Sequence, residues 1–72
     1  MMIPPAHQEI LRRLAAISEL SPGVRLGQLA SHVDFLASDM FDRGLSEVDD
    51  EQLLRVLERH EAELAQRRSN VA

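Results

Sequence analysis

Residues 25–42, RLGQLASHVDFLASDMFD, decide the fold of this chain. Wound at about 100° per residue, Leu26, Leu29, Ala30, Val33, Leu36, Ala37, Met40 and Phe41 fill one unbroken arc of roughly 140°. That pattern is an amphipathic helix. Phe35 falls near the opposite edge of the wheel, among Gln28, Ser31, His32, Ser38, Asp39 and Asp42. The chain has two Phe, no Trp and no Tyr, so one of its two aromatic rings is set where water is expected. Aromatic and Arg side chains dominate contact hot spots. Arg25, Gln28, His32, Phe35 and Asp39 are therefore the candidate partner-binding residues. Two plainer readings stand beside this one: the 43–48 loop or the third helix folds over the ring, or Phe35 is an ordinary single exposed apolar residue.

Working outward, the flanking segments are helical too, and nothing alternates with a period of two. The first helix is expected over about 5–19. It starts after Pro4-Pro5, which suit a first turn, and Ala6, Ile10, Leu14 and Ile17 recur at helical spacing with Leu11 and Leu20 at the flanks. Ser21-Pro22-Gly23 breaks it. The second helix is the 25–42 segment, with Gly44 placed to be its left-handed C-terminal residue. Gly27, beside the apolar arc in the first turn, suggests either fraying or a close backbone approach by a neighbouring helix.

The third helix, about 50–67, opens on the best local signal in the chain. Asp49 as N-cap and Gln52 three residues later form a capping-box pattern. Asp50 and Glu51 suit the positive end of the dipole, and Arg67 and Arg68 the other end. Leu53, Val56, Leu57 and Leu64 make the buried stripe, with His60 in its middle. Glu51–Arg55, Arg59–Glu63 and Glu63–Arg67 are spaced i,i+4 on the solvated side. Connections as short as 20–24 and 43–48 favour antiparallel neighbours. The expected architecture is all-α, a three-helix bundle or helical hairpin assembly in one domain, with 1–4 and 69–72 frayed.

Composition narrows the function classes. A chain of 72 residues has a core supplying only a few kcal/mol of net stability. It has no Cys, which removes disulfides and thiolate zinc sites and leaves a second subunit as the natural source of extra stability. Met1-Met2-Ile3-Pro4-Pro5 does not read as a signal peptide, and no apolar run approaches a membrane span. A cytoplasmic protein without membrane contact is expected. The net charge of −4 divides into +1 over residues 1–33 and −5 over residues 34–72. An acidic second half argues against broad nucleic-acid affinity.

The chemistry-bearing residues form no catalytic pattern. Ser31 and His32 are adjacent on a helix and point apart, and there is neither a Gly-rich phosphate loop nor an H-E-x-x-H motif. No enzyme activity and no cofactor are expected. His7, His32 and His60 each belong to a different helix, so convergence on a metal is not expected, and His60 reads as a hydrogen-bonded histidine at the core edge. The acidic run Asp39, Asp42, Glu47, Asp49, Asp50 and Glu51 invites comparison with a calcium-binding loop. Aligning Gly44 with the required glycine puts Phe41 and Arg43 where oxygen ligands should stand. Helix capping accounts for Asp49–Glu51.

Two resemblances add to this reading. Ile10-Leu11-Arg12-Arg13-Leu14 followed by Leu26-Gly27-Gln28-Leu29-Ala30 resembles the opening of a winged-helix or helix-turn-helix regulator, which implies DNA binding as the alternative function. The glycine of that family's turn would fall at Asp34, and the apolar arc runs on to Phe41, so a separate recognition helix is missing. Pro22, Arg25, Gly27, Gln28 and Leu29, then Met40-Phe41, then Val48-Asp49-Asp50-Glu51-Gln52-Leu53-Leu54, resemble a group of short bacterial proteins. These share P-x-x-R-x-G-Q-L, an apolar-Phe pair and an acidic D-x-E-x-L-L helix start. This likeness implies a family and no chemistry; within it Arg25 either pairs with the acidic start of the third helix or faces a partner with Gln28. The function expected from the whole is a non-enzymatic interaction protein that self-associates or binds a protein partner through the face around Phe35.

Overall fold

Apolar residues at helical spacing become three helices in the computed structural model, which describes residues 2–70, with side chains to Arg67. They are α1 (Pro5–Leu20), α2 (Leu26–Phe41) and α3 (Asp50–Asn70). Pro4 at the α1 N-cap has φ −55° and ψ 146°, so the Pro-Pro pair pre-sets the entry to the helix. At the other end the Ser21 N–H donates to the carbonyls of Ile17 and Ser18 at 3.1 and 3.3 Å, and Pro22 forbids a further turn. α3 continues to Asn70, past the expected end near 67. Of the expected frayed ends, Met1, Val71 and Ala72 lie outside the described residues.

The capping box at α3 closes in both directions. The Gln52 N–H donates to Asp49 Oδ1 at 2.8 Å, and the Asp49 N–H donates to Gln52 Oε1 at 3.2 Å. Asp49→Ala removes the acceptor and should cost about 1 kcal/mol, read as a lower urea midpoint with an unchanged slope. α2 has half of such a box. Gln28 Oε1 accepts the Arg25 N–H at 3.1 Å, but an Arg at the N-cap has no acceptor to offer in return.

The C-terminus of α2 departs from the sequence reading. The left-handed residue is Asp42, at φ 57° and ψ 35°, and no glycine has positive φ among the described residues. The chain leaves the helix directly after Phe41, and Asp tolerates the left-handed region better than most residues. Gly44 serves the connection otherwise. Its carbonyl accepts the N–H groups of Glu47 and Val48 at 3.0 and 3.2 Å. Asp34 Oδ1 takes the Leu45 N–H at 2.6 Å, pinning the connection to the middle of α2.

The core gathers Ile10 and Ile17 of α1, Leu29, Val33, Leu36 and Ala37 of α2, and Val56 and Leu57 of α3. Both shorter helices pack on α3, with little direct contact between α1 and α2, so α1 packs on the third helix and not on its chain neighbour. α3 is the longest element at 21 residues and presents apolar side chains to both. His7 Nε2 meets Asp50 Oδ2 at 2.9 Å and Arg13 meets Glu61 at 3.0 Å, so α1 runs in the same direction as α3.

Because α1 and α2 do not close on each other, the arc of α2 is only partly covered. Leu29, Val33, Leu36 and Ala37 are buried and Met40 and Phe41 half-buried, whereas Ala30 is exposed and Leu26 is 72% exposed. Gly27 likewise meets no neighbouring helix; a Cβ built there has nothing within 4 Å.

Candidate functional site

α2 is continuous from Leu26 to Phe41, so its geometry fixes which side chains share the outer face. Four apolar residues of the arc are drawn into the core, which turns the far side of the wheel to solvent. Phe35 stands there 68% exposed. Among the described residues, no loop and no part of α3 covers it. Arg25, Gln28, His32 and Phe35 line one shallow, open concavity of about 700 Å³, together with Gly27 and Ser31. Gly27 and Ser31 are the small residues of that lining, and Phe35 borders it one turn beyond Ser31.

The remaining candidate, Asp39, is set apart. Its carboxylate lies 3.9 Å from the Arg59 guanidinium of α3, which also pairs with Glu63 at 3.0 Å. Arg25 does not reach the acidic start of α3, because that end of α3 lies against α1, where Asp50 pairs with His7. Its guanidinium borders the open concavity instead.

His32 faces two ways. Besides lining the concavity, it packs against His60 of α3, with ring centroids 4.5 Å apart and planes tilted by 46°. The sequence reading kept the imidazoles apart; two of the three meet. On the wheel His32 borders Leu29 and Leu36, which was the available signal, but helical periodicity carries no information about which residue of α3 lies opposite.

His60 is not the hydrogen-bonded histidine expected from its place in the stripe. It is 8% exposed, and its buried Nδ1 has no hydrogen-bond partner. Burial lowers its pKa below the usual imidazole value, reinforced by the neighbouring His32 and by Arg67, while Glu63 opposes the shift. The pair forms one wall of a second cleft, of about 330 Å³, between the start of α2 and the C-terminal half of α3. His7 lies elsewhere, on α1 with Asp50.

The position of the helix-turn-helix likeness is equally plain in the backbone. α2 passes through Asp34 without a turn, and the Asp34 side chain ties down the connection to α3. No helix among the described residues is long and apolar enough to cross a membrane. What fold and face together define is a small all-α three-helix bundle with an exposed aromatic on its middle helix. No family model matches the chain, and no curated protein or solved structure matches it.

Proposed function

We propose that this chain is a non-enzymatic, cytoplasmic interaction protein that binds a protein surface through the outer face of α2, with a second copy of itself as the simplest partner. One observation carries this reading: Phe35 is 68% exposed beside a hollow floored by Gly27 and Ser31. A ring and a hollow on one helix face are self-complementary. In an antiparallel pairing of two α2 helices centred near His32, each Phe35 lies over the 27–31 stretch of the other copy. Arg25 and Asp39 are equally distant from His32 along the helix, so the same pairing sets opposite charges face to face. An isologous contact of this kind closes as a dimer.

Burying each ring contributes about 1.5–3 kcal/mol, a large increment for a domain of this size. Gly27 also gains a purpose. It lowers the helix propensity of α2 and none of the described residues comes within 4 Å of a Cβ built there, whereas a second copy needs the space. The likeness to short bacterial proteins that share P-x-x-R-x-G-Q-L fits this reading, since Arg25, Gly27 and Gln28 of that pattern all border the hollow.

Light scattering coupled to size exclusion tests it. Wild type should pass from monomer to dimer as concentration rises. Phe35→Ser removes the ring and Gly27→Leu fills the hollow, and both should remain monomeric at concentrations where wild type dimerises. Neither touches the core, so their helical content at low concentration should match wild type. A wild type that stays monomeric throughout, with Phe35→Ser indistinguishable from it, removes self-association.

A further inference from the structure

The cleft between α2 and α3 gathers two imidazoles and a guanidinium on one lining. Its walls include Ser21, Gln28, His32, His60, Leu64 and Arg67. Every ionisable side chain on those walls is a base, in a protein whose net charge is −4. Glu63, the acid that acts on His60, is paired with Arg59 at 3.0 Å. Gln28 commits its Oε1 to the Arg25 N–H, which leaves its amide N–H groups free to donate. The α2 N-terminus opens nearby with no side-chain oxygen on its first-turn N–H groups, so the positive end of that dipole is unanswered.

His60 supplies a second, independent observation. It is 8% exposed, no side-chain partner holds its buried Nδ1, and its ring forms part of the cleft wall. Two imidazoles and a guanidinium converging on one cleft repel each other when protonated, and an anion between them reverses the sign of that interaction.

We infer that this cleft binds a small oxyanion, a carboxylate or phosphate group carried on a short apolar body. Its volume of about 330 Å³ is near the lower end for ligand sites, and Leu64 gives the body an apolar wall. Arg67 provides the forked donor for the oxyanion, and His32 and His60 provide ring N–H donors once protonated. The site lies on the α3 side of His32, and binding there does not require the outer face of α2 to hold a partner.

The groups that bear on the titration of His60 are His32 on α2 and Glu63 and Arg67 on α3. Burial, His32 and Arg67 hold His60 low, so a bound anion must raise it. The chain has three His, which makes the imidazole C2–H resonances a clean readout, with His7 as internal reference beside Asp50. In inorganic phosphate, against chloride at matched ionic strength, the midpoints for His32 and His60 should rise with a saturable dependence on concentration while that of His7 stays put. Sodium acetate in a parallel series separates the two oxyanions, the tighter one saturating first. Arg67→Gln, at an exposed position, should weaken binding about tenfold. Shifts of all three histidines alike, no difference of phosphate or acetate from chloride, or an Arg67→Gln chain that responds like wild type would each overturn the assignment.

Discussion

Leu57→Ala should leave much of the population unfolded at room temperature. Leu57 is fully buried on α3, and it shares a cleft wall with Leu14 of α1 and with Leu29 and Val33 of α2. α1 and α2 have little contact of their own, so α3 is what joins them. Removing the Leu57 side chain therefore loosens both attachments at once. Leu→Ala at buried sites costs about 2–5 kcal/mol, set by how far the cavity can collapse. A core of this size supplies only a few kcal/mol in total. The measurement is urea unfolding followed by far-ultraviolet circular dichroism, at a protein concentration low enough to keep the monomer. Leu11→Ala, at a half-exposed position on α1, is the control and should shift stability by about 0.5 kcal/mol or less. A Leu57→Ala variant within about 1 kcal/mol of wild type would falsify the packing described for α3.

Mild acid should destabilise the wild-type bundle, and His60→Leu should abolish most of that loss. The direction follows from linkage. His60 has a lowered pKa in the folded chain, so as pH falls the unfolded chain takes up this proton first. Stability is full above the ordinary imidazole value of about 6.5. It declines as pH drops through the window between that value and the lower folded one, and levels off beneath it. Burial is the chief cause and His32, its ring centroid 4.5 Å away, adds to it. At pH 7.5 the Leu variant removes a buried nitrogen without a partner, so it should match wild type or exceed it by about 1 kcal/mol. Urea midpoints at pH 7.5, 6.5 and 5.5 decide the matter. Parallel pH dependence in the two proteins would show that His60 is not the group responsible. If the α2–α3 cleft holds phosphate, the wild-type decline is smaller in phosphate than in chloride, because a raised folded value for His60 narrows the window.

Much of the face around Phe35 is legible without coordinates. Period alone placed Leu29, Val33, Leu36 and Ala37 inward and Phe35 outward, because a continuous helix fixes the angle between any two of its residues. The α3 capping box was equally readable, since Asp49 and Gln52 meet by local geometry whatever the rest of the chain does. Asp42 was harder. Its left-handed turn depends on where packing of Phe41 ends the helix, and Gly44 two residues later was the more obvious candidate.

The sequence by itself determined three helices, their polar and apolar sides and the outward ring, all properties of single elements with a fixed rise and twist. Only the tertiary structure decided that α1 and α2 both lean on α3, that Leu26 and Ala30 stay uncovered, and that His32 meets His60. Those outcomes depend on axial register and crossing between helices. Register is set by how whole side-chain surfaces interlock, and no local repeat in the chain encodes it.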